Sequence, residues 1–438
     1  MAKVVKFSQI HSNGAGIDIG SREIFVSIDG CSAVHFDTFT SGYHSCCHYL
    51  VEHGISRVAM EATGVYWFCL YWMLEDYGIR VCLVNPREVQ QVKGRKSDVQ
   101  DCQWIQQLFV AGLLRESLIP QGLLKELRFL VREREELIAD GSRYINKMQR
   151  SLELMNIKLS SVISQIQGAS GLKVIRAILS GERDSEVLLS LCHSSIRNKK
   201  AEEVKKSLEG NYNQYYLYLL ELNLKLWESY QLHIQEMEHK IEELLDKLNE
   251  PTRDIEVATP SKPTRHHQPH IDDLHTKMVQ LYQGVDLTSI AGINDATLLR
   301  LYAEIGSDMS RFPTVAHFCS WLGLSPAHKQ SGRIKRRIKG NPSNEAGQIF
   351  RLSAQSLMES KKNAIGVFMR RLRSRKGSKI AIKAGARKIA QAYYLALTKG
   401  IDYVEQGAEK YMEQLKIREI NLLKKLAKKH SYEIVESA

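Results

Sequence analysis

No stretch of this 438-residue chain is apolar for long enough to cross a bilayer. The longest such run, residues 65–74, falls far short of the about 20 residues a spanning helix needs. The N-terminal MAKVVKFSQIHSNG has no apolar core followed by a small-residue cleavage site, so no secretory signal is expected. The eight cysteines (31, 46, 47, 69, 82, 102, 192, 319) include no CxxC pair and stand mostly in apolar surroundings. That argues against a disulfide scaffold and for buried free thiols in a reducing cytoplasm. His44, Cys46, Cys47 and His48 crowd together at a spacing that matches no zinc template, so they read as half-buried helix residues. Hydrophobic residues make up 43% and charged residues 25%, which excludes a disordered or fibrous chain. The length suggests about three domains and a core that needs no staples.

Acids are nearly missing from one place. Residues 326–390 hold 18 Lys/Arg against only Glu345 and Glu359, a net of +16, more than the +12 of the whole chain. Residues 1–120 carry ten Lys/Arg and twelve Asp/Glu, a net of −2. Cations that neutralise phosphates release counterions, so the 326–390 window predicts the nucleic-acid contact. Lys329, Arg333, Lys335, Arg336, Arg337, Lys339, Arg370, Arg371 and Arg373 are its candidate contacts.

The first 120 residues predict an α/β layer. GAGIDIG and EIFVSIDG read as a hairpin turning at Gly20-Ser21-Arg22, and RVAMEATG reads as a buried strand ending at Glu61 or just before it. Residues 42–54 and 65–78 read as helices and 80–84 as a strand broken by Asn85-Pro86. A loop then leads to Ser97, an N-cap for a helix from Asp98 to about Leu114. Residues 121–250 read as long and helical. Trp227, Tyr230, Ile234, Met237, Ile241, Leu244 and Leu248 alternate at three and four, a heptad seam that predicts a coiled coil within the chain or between chains. The proline-containing, polar segment 251–285 reads as a linker, where His266, His267 and His270 are more simply solvated than metal-bound. Residues 286–400 predict a mainly α domain, opening with a helix-hairpin-helix-like stretch at 287–306, and 401–438 a charged amphipathic helix.

Four acids of the first domain carry chemistry. Asp18 lies in a strand, Glu61 ends another, and Asp98 and Asp101 share one face of a helix start. Converging carboxylate oxygens suit hard divalent cations, and two such ions can clamp the attacking and leaving oxygens of a phosphodiester. Singly, each acid has a plain structural explanation, as a helix-dipole or turn residue. Together their strand–strand–helix placement favours metal.

The arrangement resembles the RuvC-like branch of the RNase H fold. GIDIGSREIFVSIDG, AMEATGVYW and VNPREVQQVKGRKSDVQDCQWI are more specifically similar to the N-terminal domain of the insertion-sequence-110 family of transposases. GLSPAHKQSG, the following IFRLSAQSLMESKKNAIGVFMRRLRSRKG and AIKAGARKIAQAYYLALTKG resemble the C-terminal domain of the same family. The resemblance implies that Asp18, Glu61, Asp98 and Asp101 bind Mg2+ or Mn2+. It also implies that Ser331 is a nucleophile forming a 5′-phosphoserine link to DNA. From the residues alone a serine in a basic loop is more simply a phosphate contact, since no activating base is evident beside it. The family commonly has two glycines after this serine, whereas here Gly332 is followed by Arg333. Further implications are double-stranded DNA as partner (element ends and target), an element-encoded bridge RNA and a homodimer or tetramer. A composite site joining both domains and a bacterial-type cytoplasmic, nucleoid-associated setting are implied as well. A RuvC-like junction-resolving nuclease without serine chemistry, and a non-catalytic nucleic-acid-binding protein, are the alternatives.

Overall fold

The computed structural model describes residues 10–89, 98–114, 116–257, 268–326, 328–331, 334–337, 343–361, 363–430 and 432. The chain divides into two compact units, residues 1–119 and 120–438.

The first unit is a five-stranded sheet with helices. Its strands are β1 (Gly14–Ile19), β2 (Glu23–Ser27), β3 (Val34–Asp37), β4 (Arg57–Glu61) and β5 (Arg80–Val84), in spatial order β3-β2-β1-β4-β5. β1 to β3 run antiparallel, while β4 lies parallel to β1 and β5 parallel to β4. The helices are α1 (Thr40–Glu52), α2 (Trp67–Asp76), the single turn α3 (Pro86–Val89) and α4 (Asp98–Val110). This mixed sheet with helices is consistent with the RNase H-like expectation. Ser97, expected as the cap of α4, lies outside the described residues.

Alternation along the strands divides the core. Ala15, Ile17, Ile19, Val58 and Met60 pack with Cys46, Leu50, Leu70 and Leu74 of α1 and α2. On the opposite face Ala59 and Val84 pack with Ile105 and Phe109 of α4. That second face is kept thin at one point. A Cβ on Gly16 would fall within the backbone of Cys102 and Gln106, so α4 lies directly on β1 there. Replacing Gly16 by Val should therefore lift α4 from the sheet and destabilise the unit by about 1–3 kcal/mol, the usual cost of overpacking. Urea melts of the variant would show it as a lowered midpoint, and an unchanged midpoint would contradict this packing.

The second unit is built on two long antiparallel helices. α5 (Leu123–Leu154) and α10 (Gln214–Asn249) meet along their length. Arg134 and Glu238 form a buried ion pair at 2.7 Å, and the rings of Tyr144 and Tyr230 lie 5.4 Å apart. Every residue of the sequence seam is at least half-buried, with Ile234, Ile241 and Leu244 fully so. The seam thus pairs inside one chain. Four helices complete the turn between them: α6 (Leu159–Val162), α7 (Ala169–Leu179), α8 (Ser185–Ser190) and α9 (Ser194–Ser207). They carry their own apolar core with Met148, Leu152, Leu220 and Leu224 of the long pair.

The segment 251–285 is not only a connector. Residues 258–267, with His266 and His267, lie outside the described residues. Beyond them α11 (Leu274–Leu281) buries Leu274, Met278 and Leu281, and Tyr282 after it is fully buried. Their three-and-four spacing is an ordinary helical core pattern, masked in the sequence by the polar residues before it. The stretch 287–306 holds one α-helix rather than two: a 3-10 turn at Leu287–Ser289 and then α12 (Asp295–Ile305), joined through Gly292 at φ 89°. The remaining elements are α13 (Val315–Trp321), β6 (His328–Ser331), β7 (Ile334–Arg337), α14 (Glu345–Ser356), α15 (Ala364–Lys376), α16 (Ser378–Lys399) and α17 (Ile401–Lys429). At the centre of this helical layer Phe318 stacks on Tyr393, and Phe350 meets both edge-on.

Candidate active site

The carboxylates are placed by strand alternation and by one helix. Gly14, Gly16 and Asp18 share the face of β1 that α4 covers, and Arg57, Ala59 and Glu61 share the same face of β4. The parallel register sets Ile17 beside Met60, so Asp18 and Glu61 follow side by side at the carboxyl ends of neighbouring strands. α4 is held on this face by a row of glutamines. Gln106 Nε2 donates to the carbonyls of Gly14 and Ile28, each at 3.1 Å. Gln103 donates to Cys31 at 2.6 Å and Gln107 to Gly30 at 2.8 Å. The first turns of α4 carry Asp101 to the same edge.

Electrostatics report this convergence. Burial, followed by the nearby Asp101 charge, pushes the Glu61 carboxyl above its usual range, against a 3.0 Å hydrogen bond from the Thr63 hydroxyl that lowers it. The Cys102 thiol is pushed up to about 12 by burial and by the charges of Asp18 and Asp101. Asp18, Glu61 and Asp101 therefore share one field. Asp98 opens α4, but its side chain is not among those described. Among the described residues no group of three His, Cys, Asp or Glu side chains is drawn close enough to hold an ion. The donor chemistry, carboxylate oxygens throughout, fits Mg2+ or Mn2+ and suits neither soft nor nitrogen-loving metals.

The basic window folds around a hairpin absent from the sequence expectation. β6 and β7 pair antiparallel, from His328 opposite Arg337 to Ser331 opposite Ile334. Ser331 is thus the last residue of β6, paired with Ile334 at the start of β7. Gly332, Arg333 and Lys339 lie outside the described residues, as do the side chains of Lys329, Ser331, Lys335, Arg336 and Arg337. On either side of the hairpin in sequence, Arg387 donates to the Ser325 hydroxyl at 3.3 Å, and Asn344 caps α14 while donating to the Trp321 carbonyl at 3.3 Å. On α15, Arg371 is exposed, and Arg370 is half-buried with a buried Nε that has no hydrogen-bond partner. Arg373 is ion-paired to Glu359, which leaves it less available to a phosphate than the sequence suggests. Glu345, the window's other acid, reaches Arg300 at 3.4 Å.

Residues 15–157 match the DEDD-type IS110 transposase family model, described as a transposase. Residues 286–366 match the model of the IS116/IS110/IS902 family of transposases. The chain belongs to the IS110 family of transposases. Among curated proteins none matches it. The transposase is accordingly an enzyme of insertion sequences that binds, cuts and rejoins DNA. The two matches span all four acids and Ser331. Among the described residues no helix is long and apolar enough to cross a membrane.

Several neighbours of the site were not legible in the transposase sequence. Gln103, Gln106 and Gln107 recur at helical spacing, but only the packed sheet shows which carbonyls they meet. Thr63, two residues beyond Glu61, becomes significant through its hydroxyl bond. The His44–His48 cluster resolves as packing: both imidazoles hydrogen-bond the Tyr77 hydroxyl, at 2.9 and 3.2 Å, and Cys46 and Cys47 are buried. Cys31 and Cys69 are exposed, contrary to the expectation of buried thiols. Native labelling with a maleimide at pH 8 should modify these two readily. It should spare Cys47 and Cys102, whose thiols burial pushes up to about 11 and 12. Mass spectrometry of tryptic peptides reads the result, and rapid native labelling of Cys102 would show that α4 does not stay seated.

Proposed function

We propose that this transposase exchanges DNA strands through a serine-linked intermediate, with Ser331 as nucleophile and Asp18, Glu61, Asp98 and Asp101 as metal ligands. The observation that carries the reading is the position of Ser331: it ends the strand β6, inside the +16 window and inside the family match. A serine at a hairpin tip can reach into a backbone phosphate, and surrounding cations stabilise the charge that develops there.

In the proposed step the Ser331 Oγ attacks phosphorus and the bond from phosphorus to the 3′-oxygen breaks. The hydroxyl proton passes to a carboxylate oxygen or water, and the leaving 3′-oxygen takes up a proton to become a free 3′-hydroxyl. The 5′-phosphate is now esterified to Ser331. A 3′-hydroxyl from the partner strand then attacks this ester, rejoins the DNA and restores the serine. Mg2+ or Mn2+ held by the four acids would supply Lewis-acid charge at the phosphate oxygens. Lys329, Arg333, Lys335, Arg336, Arg337, Lys339, Arg370 and Arg371 would hold the DNA backbone, with Arg373 secondary because of Glu359.

The reading extends to partners. A bridge RNA encoded by the element selects donor and target DNA, and the enzyme works as a dimer or tetramer. The test is to express the full chain with its element, sequence any RNA that copurifies, and incubate the complex with element-end DNA. A protein–DNA adduct that survives denaturation supports the serine step. Strand exchange without any adduct points instead to carboxylate-only, resolvase-like cleavage.

A further inference from the structure

The turn that follows Glu61 has a feature the metal chemistry does not use. Its backbone is tightly held: Thr63 N donates to the Glu61 carbonyl at 2.9 Å, Tyr66 N to the Thr63 carbonyl at 3.3 Å, and the Trp67 indole to the Gly64 carbonyl at 3.0 Å. Gly64 takes φ 56°, a left-handed conformation that costs glycine little. Yet this rigid turn presents apolar groups to solvent. Val65 is 80% and Tyr66 47% exposed, while the helix it starts buries Leu70, Tyr71 and Leu74. The aromatic rings that follow are engaged with one another, Trp67 edge-on to Tyr71 and Phe68 edge-on to Trp72.

We infer that Val65 and Tyr66 form a stacking step that receives a nucleobase flanking the phosphate to be cut. This deepens the proposed function and rests on its carboxylate site. A phosphate seated at Asp18 and Glu61 places its own base and the next one beside a turn only four and five residues past Glu61. An aromatic face stacks on any base, so such a step positions a strand without selecting sequence. A turn pinned by three hydrogen bonds loses little freedom when it does so. Tyr66 is thus a positioning residue, setting the strand against the carboxylates rather than taking part in bond exchange.

The test uses the full-length enzyme with its copurified RNA and element-end DNA carrying 2-aminopurine at each position in turn. Wild type and Tyr66→Phe are expected to quench the probe at one position flanking the cleavage point. Tyr66→Ala should lose that quenching and raise KM for the DNA roughly tenfold to a hundredfold, with kcat and melting temperature little changed. Val65→Ser should raise KM by less. Wild-type quenching and KM in Tyr66→Ala would overturn the inference, and so would an equal loss in Tyr66→Phe, which keeps the ring. Asp18→Asn separates the two readings. If Asp18→Asn is inactive and Tyr66→Ala behaves as wild type, only the stacking step fails. If Asp18→Asn cleaves normally, the carboxylate site fails and the step beside it falls too.

Discussion

Replacing Ser331 by alanine is expected to abolish strand exchange and the denaturation-resistant protein–DNA adduct together, while DNA binding and thermal stability stay close to wild type. Removing one γ-oxygen leaves a hairpin tip whose backbone ladder is untouched, since the pairing of Ser331 with Ile334 uses main-chain groups. The surrounding cations remain, so the salt-dependent affinity they supply should persist. Only the attacking oxygen is gone, and a phosphoserine cannot form without it. Gel analysis of 5′-labelled element-end DNA after proteinase treatment reads the adduct, and filter binding at two salt concentrations reads the affinity. A variant that loses binding along with activity would assign Ser331 to phosphate contact. One that retains exchange would remove serine chemistry from the mechanism altogether.

Asp101→Asn has the second-largest expected effect. It should lower strand exchange by at least about a hundredfold, and abolish the rise in melting temperature expected of the wild type with Mg2+. It also has a pH signature. Burial, and then the charge of Asp101, holds the Glu61 carboxyl above its usual range, so Glu61 picks up its proton at a higher pH than an ordinary glutamate. Metal binding requires the deprotonated form. Mg2+ stabilisation of the wild type should therefore begin to fade, on acidification, above the ordinary carboxylate range. Without metal the sign reverses: a raised carboxyl favours the folded state as pH falls through its folded value and disfavours it as pH rises past that value. With the neighbouring charge removed in Asp101→Asn, Glu61 should titrate closer to a normal glutamate, which NMR of labelled glutamate carboxyls can follow. An unchanged Glu61 titration would mean that Asp101 does not face it.

These predictions draw unequally on sequence and structure. Asp18, Glu61, Asp98 and Asp101 stand out in the chain itself, because strands, turns and helix starts leave local marks: alternation, an Asn-Pro break, acids at i and i+3. Ser331 stands out only through the family resemblance, since its surroundings alone suit a phosphate contact. The charge partition was equally plain, since it needs only counting. The heptad seam of α10 predicted a helical partner, yet two partners were compatible with it. Only the packing against α5, closed by Arg134 and Glu238, selects the one in the same chain. α11 reads as linker in sequence because the polar, proline-containing stretch before it dominates, although Tyr282 is fully buried. The β6–β7 hairpin leaves no mark in the sequence for a related reason. Its residues are basic and polar, without the apolar alternation by which strands are read.

Local chemistry is written in residue types and spacings, so the sequence by itself singled out the four acids as candidate ligands and showed where positive charge gathers. The tertiary structure alone decided which of those residues meet. Asp18 and Glu61 become neighbours because β4 lies parallel to β1, a pairing across about forty residues. Asp101 comes to the same edge, near enough to raise the Glu61 carboxyl, because Gly16 offers no side chain and Gln106 finds two carbonyls. Such contacts depend on excluded volume and on hydrogen-bond partners far apart along the chain, and no local pattern encodes either.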